Sequence, residues 1–345
     1  HPKDWQNPTP NGRYNLIVIG GGTAGLVSAM GAAGLGAKVA LIERDLLGGD
    51  CLNVGCVPSK AMLSVGRFVQ SLRRAESLGV RLAGEPDVQF PEIMARLRKL
   101  RAGISPHDSA ERFRSAGIDV FMGHGQFISA NEVKVGDTKL SFSKAVITSG
   151  ARAAKLDIAG FEDTDVLTNE TVFSLTELPQ RMVVIGGGPI GCELAQVFAQ
   201  LGTQVVQLER SERILPREEV DASALVSESL HRDGVQICTS TQIVGLSQNG
   251  NTKTVSINDK SGVRKIECDA VLSAIGRAPN VNGMGLEAAG IQYDINTGIT
   301  VNDKLQTTNH NVYAAGDVAS RYQFTHAADF MARVVIQNAL FLGRL

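Results

Sequence analysis

The stretch Leu16-Ile-Val-Ile-Gly20-Gly-Gly22-Thr-Ala-Gly25 reads as a buried strand, a tight turn and the start of a helix. Gly20 makes the turn, Gly22 lets the backbone approach a pyrophosphate, and Gly25 lets helix and strand pack closely. The helix N-terminus then presents N–H groups and the positive end of its dipole to the phosphates. The next strand, Lys38-Val-Ala-Leu-Ile-Glu43, ends in an acid 23 residues past Gly20. A carboxylate there can accept hydrogen bonds from ribose hydroxyls. The pattern then recurs. Met182-Val-Val-Ile185 is a second apolar strand, Gly186-Gly-Gly188-Pro-Ile-Gly191 a second turn, and Gln204-Val-Val-Gln-Leu-Glu209 a second acid-ended strand, with 23 residues again separating Gly186 from Glu209. The repeat predicts an α/β protein with two Rossmann-like, three-layer modules, and therefore two bound dinucleotides or a duplicated module with one dead copy; every chemically needed position is present in both, which favours two.

Between the two fingerprints lies Cys51-Leu-Asn-Val-Gly-Cys56-Val-Pro-Ser-Lys60. In a regular helix, residues five apart are separated by about 7.5 Å along the axis. A disulfide needs its Cα atoms within about 7 Å. A Cys51–Cys56 bridge therefore requires a distorted helix start, and Gly55 and Pro58 supply the distortion. A strained bridge is easier to reduce than a relaxed one, so the spacing suggests a disulfide that opens and closes. Cys192, Cys238 and Cys268 lie in apolar or strand-like contexts and read as small core residues. Five cysteines in 345 residues suit a reducing compartment with one reactive pair, and a cytoplasmic location is expected.

Composition narrows the class further. A chain of this length holds roughly two to three domains. The net charge of −1, with signs interspersed, gives no nucleic-acid signature. Arg96-Leu-Arg-Lys-Leu-Arg101 reads as a solvated helix face. Leu16 to Ala37 carries no charge and is long enough to span a membrane, but seven glycines interrupt it and the strand–turn–helix reading explains each break. No membrane association is expected. The polar start, His1-Pro-Lys-Asp-Trp-Gln-Asn-Pro, reads as an arm and not as a signal peptide. No metal-ligand set is expected.

Two fingerprints with C-x4-C-x3-K after the first resemble the flavin-dependent pyridine nucleotide–disulfide oxidoreductases, among them dihydrolipoamide dehydrogenase, glutathione reductase and mercuric reductase. The resemblance runs from about Tyr14 to the end of the chain. It includes Thr148-Ser-Gly150, Gly276-Arg-Ala-Pro-Asn280 and Val312-Tyr-Ala-Ala-Gly316-Asp317. It implies FAD in the first module, with Asp317 on its ribitol chain, and NADH or NADPH in the second, bound through Glu209 and Arg210. Electrons are expected to pass from nicotinamide to flavin to a Cys51–Cys56 disulfide, and then to a small-molecule, disulfide or Hg(II) acceptor. The resemblance makes Cys56 the flavin-proximal thiolate and Cys51 the exchanging thiol. It pairs Lys60, near the flavin, with Glu193. It also places Thr325 at the start of a helix aimed at the flavin; His326 beside it reads as a packed neutral histidine, with tuning of the flavin as the alternative. Relatives usually carry Gly-Gly-Thr before the first cysteine, whereas this chain has Gly48-Gly49-Asp50, which adds a negative charge beside the thiols.

The expected domains are 1–152 with 278–345 for FAD and 153–277 for NAD(P). Strand inserts are expected around Val120, Val133 and Leu140, and around Val235, Thr254 and Ile266. The resemblance further implies a C-terminal dimerisation domain with a catalytic histidine followed by a glutamate. None of the six histidines here has that spacing, so the chain is expected to lack that domain. The full-length protein is expected to be a homodimer. Features of both mercuric reductases (Gln323-Phe324) and dihydrolipoamide dehydrogenases (Cys51-Leu-Asn-Val) are present. The alternative is a flavin-binding fragment or module without turnover.

Overall fold

The computed structural model describes residues 4–84 and 86–341. The chain forms two compact units. The first is built from the segment ending at Asn53, from Ala102–Arg152 and from Arg277 onward; the second from Val54–Arg101 and Ala153–Gly276.

In the first unit the strand Tyr14–Ile19 is central. It pairs in parallel with Val39–Glu43 on one side, and that strand pairs with Asp119–Met122. On its other side it pairs with Thr138–Ile147, against which Val312–Ala314 also runs parallel. The start of that ten-residue strand turns antiparallel onto Glu132–Val135, which continues to Gly125–Ser129. Leu16 and Val18 are buried on one face of the sheet and Ile17 and Ile19 on the other, so the strand reads as a continuous apolar run. The fingerprint helix Thr23–Gly34 packs on Thr325–Leu340, and a Cβ on Gly31 would fall 2.5 Å from Ile336 Cδ1.

The second unit repeats the theme. Its parallel sheet runs in the order Gln236–Cys238, Gln204–Leu208, Arg181–Ile185, Ala270–Ser273, Val166–Leu167. An antiparallel sheet of Gln242–Asn249, Thr252–Asp259 and Gly262–Cys268 forms the insert. The insert strands expected near Thr254 and Ile266 are present; the strand expected near Val235, Gln236–Cys238, belongs to the parallel sheet instead, and Gln242–Asn249 was not anticipated.

One grouping differs from the sequence reading, which ran the first module unbroken to residue 152. The helix Cys56–Arg73 and the helix Phe90–Ile104 as far as Arg101 lie in the second unit. Met62, Leu63, Val69, Met94 and Leu97 share a core with Val197 and Phe198 of the helix Pro189–Leu201. Gly66 permits the approach, since a Cβ there would sit 2.5 Å from Gln200 Oε1 and 3.0 Å from Val197 Cγ2.

Asp233 locks these helices together. It caps the C-terminus of Val220–Arg232, with its side chain 3% exposed. Its carboxylate accepts from Gln70 Nε2 (2.8 Å), Arg74 Nη2 (3.0 Å), Gln196 Nε2 (2.8 Å) and Gln200 Nε2 (2.7 Å). Three helices thus converge on one buried charge. Removing it strands three amide donors and an arginine, so Asp233→Ala is predicted to cost roughly 3 kcal/mol of stability. Chemical denaturation checks this; an unchanged midpoint would show that water replaces the carboxylate at no cost.

Candidate active site

The first cradle is closed to any residue but glycine. Gly20 has φ +114°, and a Cβ on it would fall 2.3 Å from the Thr148 carbonyl oxygen; one on Gly25 would fall 1.8 Å from the Gly20 carbonyl oxygen. Glu43 accepts the Gly21 N–H at 2.6 Å and the Asp45 N–H at 2.8 Å. Burial raises the Glu43 pKa, and these N–H groups oppose the rise. A cleft opens at the carboxyl ends of the strands, lined by Gly20, Glu43, Arg44, His124, Ser149 and Asn280 among others. Thr148-Ser-Gly150 is stitched to the later motif. Ser149 Oγ donates to the Asn280 carbonyl (2.8 Å), Asn280 Nδ2 to the Ser149 carbonyl (2.9 Å) and Asn280 N–H to the Gly150 carbonyl (2.9 Å). Gly150 takes φ +68° there.

Gly316 (φ +80°) lies against the start of the fingerprint helix, where a Cβ on it would be 3.4 Å from Ala24 Cβ. Asp317 follows, with Oδ2 3.3 Å from Arg277 Nε. Burial pushes the Asp317 pKa up, Arg277 pulls it down and Asp50 pushes it up. Arg277 also ion-pairs with Asp50 and donates to the Ala151 carbonyl at 2.8 Å. The sequence reading quoted the motif around Arg277 without giving the arginine a role, and it passed over Arg44 and His124. Thr325 is exposed at the start of its helix. His326 is exposed as well and stacks on Phe324 with ring centroids 5.4 Å apart, so it is not the packed histidine expected.

The second cradle repeats the first. Gly186 has φ +112°, and a Cβ on it would lie 2.4 Å from the Ala274 carbonyl oxygen; one on Gly191 would lie 2.1 Å from the Gly186 carbonyl oxygen. Gly188 faces open space. Glu209 accepts the Gly187 N–H at 2.6 Å and the Ser211 N–H at 2.7 Å. Arg210 is exposed. Arg213 donates instead to the carbonyls of Leu215 (3.2 Å), Pro216 (3.1 Å) and Glu218 (3.0 Å), which ties down the loop after Glu209. Gly276 closes this unit with φ +131°.

Cys51 lies in the short helix Gly49–Asn53, in the first unit; Cys56 opens the helix Cys56–Arg73, in the second. The helices are interrupted at residues 54–55, where Gly55 adopts φ −133°, ψ −113°. Pro58 sits in the first turn, where a missing N–H costs nothing. The distortion expected from Gly55 is thus present, whereas Pro58 sits inside a regular first turn. Cys51 is half-buried and Cys56 exposed at a helix N-terminus, which favours negative charge. One turn on, Lys60 Nζ contacts both Glu193 oxygens, at 2.6 and 2.7 Å. The pair is 60% and 39% exposed, so it contributes little to stability, about 1 kcal/mol or less. Burial pushes the Cys192 and Cys268 thiols up to about 11, which keeps them unreactive.

The comparisons with known proteins agree with this geometry. The model of the pyridine nucleotide-disulphide oxidoreductase family matches residues 14–332, and the chain belongs to that family. A mercuric reductase of Lysinibacillus sphaericus is 34% identical over 95% of this chain. This chain spans 60% of that relative's length. A dihydrolipoyl dehydrogenase of Bacillus subtilis is 35% identical over 91% of this chain and 69% of its own. The HOCl-induced flavoprotein disulfide reductase RclA of Escherichia coli superposes with a TM-score of 0.84 at 28% identity, covering 96% of this chain and 72% of that one. The family's cofactors are FAD and NAD(P)H.

The two glycines of the second cradle should separate folding from binding. Gly191→Ala forces a Cβ into the Gly186 carbonyl and is predicted to lower the thermal midpoint by several degrees. Gly188→Ala meets no atom, so the fold should hold while affinity for a nicotinamide dinucleotide falls. Equal melting losses in both variants would refute this division.

Proposed function

We propose that this chain carries the FAD-dependent electron-transfer core of a disulfide reductase that takes two electrons from a nicotinamide dinucleotide and holds them as a Cys51/Cys56 dithiol. The supporting observation is the pairing of two intact glycine–acid cradles with C-x4-C-x3-K, in which Lys60 is already bonded to Glu193. FAD, if bound, would supply two-electron transfer between the nicotinamide and the disulfide. Gly20, Gly22, Gly25, Glu43, Gly150, Gly316 and Asp317 are the residues that would hold it. The glycine cradle and the cleft beside Glu43 fit a dinucleotide. Gly186, Gly188, Gly191, Glu209 and Gly276 would hold the nicotinamide dinucleotide, with exposed Arg210 at the rim. Thr325 would stand at the helix start near the flavin.

The reaction balances as NAD(P)H, one proton and one disulfide giving NAD(P)+ and two thiols. Lys60 keeps a cation one turn from Cys56, which stabilises negative charge there. Glu193 orients the ammonium. Reducing equivalents stored in two thiols suit an acceptor that exchanges with thiolates, either a disulfide or a thiophilic ion such as Hg(II). A cytoplasmic, homodimeric full-length protein goes with this reading. No helix among the described residues is long and apolar enough to cross a membrane.

Two outcomes test the proposal. Anaerobic NADH added to the FAD-loaded chain should expose two additional titratable thiols. Cys51→Ser and Cys56→Ser should each abolish that gain, and a gain surviving in either variant would remove the dithiol from the scheme. The second outcome concerns the coenzyme. Glu209 repels a 2′-phosphate and Arg213 is committed to loop carbonyls, which leaves only Arg210 to offset the repulsion. NADH should be preferred over NADPH by about tenfold, equivalent to 1.4 kcal/mol, and Glu209→Ala should narrow the gap. Faster reduction by NADPH would overturn the assignment.

A further inference from the structure

The first unit gathers three charged side chains where its fingerprint helix begins. Gly49 lies on the fingerprint itself: a Cβ on Gly49 would fall 2.6 Å from the Gly22 Cα. Asp50 is the next residue. From another segment Gly316 rests against Ala24, in the first turn of the helix, and Asp317 follows it. Arg277 joins the two acids, ion-paired with Asp50 and with its Nε 3.3 Å from Asp317 Oδ2. The arginine side chain is only 13% exposed, Asp317 20% and Asp50 43%.

Two carboxylates share one guanidinium, so the cluster carries a net charge of −1. A helix N-terminus with a glycine turn attracts the diphosphate of a dinucleotide through its N–H groups and dipole. Arginine is the side chain best shaped to add a bidentate contact to phosphate. Here the Nη2 that could do so is held by Asp50 and by the Ala151 carbonyl. A bound diphosphate must therefore either displace Asp50 from Arg277 or lie beside an uncompensated carboxylate.

We propose that Asp50 sets the affinity of this seat for a dinucleotide diphosphate by holding Arg277 on a carboxylate, so that the cofactor is bound more weakly than the cradle alone would allow. The proposal rests on reading the first unit as the FAD seat. It makes Asp50 a determinant of cofactor affinity, distinct from any role of the neighbouring thiols. Asp317 keeps its own contact with Arg277 whichever partner the guanidinium's other edge takes.

The test is titration of the FAD-free protein with FAD, followed by flavin fluorescence, for the parent chain, Asp50→Asn, Asp50→Thr, Arg277→Gln and the double variant Asp50→Asn/Arg277→Gln. Both Asp50 variants should bind FAD about tenfold more tightly, equivalent to 1.4 kcal/mol. Their affinity should fall more steeply with salt, because a freed arginine–phosphate contact is screened. Arg277→Gln should weaken binding, and Asp50→Asn should gain less in that background. As competitors against FAD, ADP should gain from Asp50→Asn while adenosine, which lacks the diphosphate, should not. Thermal unfolding of each FAD-free variant separates a folding defect from a change in affinity. Equal affinities across the variants, or weaker binding by both Asp50 variants, overturn the proposal and leave the FAD seat standing. Absence of FAD binding by every variant and by the parent chain overturns the seat and the proposal together.

Discussion

Each unit of this protein depends on one contact made twice: a buried carboxylate at a strand end accepting the N–H of the middle fingerprint glycine. Glu43 takes the Gly21 N–H and Glu209 the Gly187 N–H, both at 2.6 Å. Each acid also accepts an N–H two residues downstream, from Asp45 and from Ser211. The contact fixes the turn against the neighbouring strand before any ligand arrives. It also uses only part of each carboxylate's accepting capacity, because two oxygens offer about four lone-pair sites. The spacing of 23 residues between glycine and acid follows from the need to close that contact around one helix and one strand.

The residues around Cys56 are placed by packing of a different kind. Lys60 and Cys56 ride on a helix whose apolar side is buried against Val197 and Phe198 and whose far end is held by Asp233. Glu193 rides on the partner helix, which the same aspartate grips through Gln196 and Gln200. The Lys60–Glu193 bond is itself too exposed to hold two helices together. It forms because the buried core and the Asp233 junction have already set the register. That ordering explains how a surface ion pair can hold a fixed geometry while contributing little stability of its own.

These two kinds of contact differ in how far the sequence discloses them. The cradles were legible because every residue they need is local or one strand away, and the glycine pattern has few other physical explanations. The break before Cys56 was legible for the same reason, in Gly55. The assignment of residues 54–101 to the second unit was not, because it rests on contacts between side chains more than a hundred residues apart, such as Gln200 on Gly66. Asp233 gave no signal at all: a single acid after a helix reads as an ordinary cap. The role of Arg277 was hidden inside a recognised motif, since its two carboxylate partners come from residues 50 and 317.

Taken one at a time, the two dinucleotide seats are built alike but finished differently. Gly188 faces open space, and the acid beside it is bonded only to backbone N–H groups. Gly22 instead has the Gly49 backbone over it, 3.7 Å from where its Cβ would stand. An open approach suits a coenzyme that must arrive and leave in every cycle. The charges work against the enclosure in the first seat, where Asp50 and Asp317 outnumber Arg277. Backbone closure and unbalanced charge therefore meet at one place, at Gly49 and at Asp50, whose carboxylate holds Arg277.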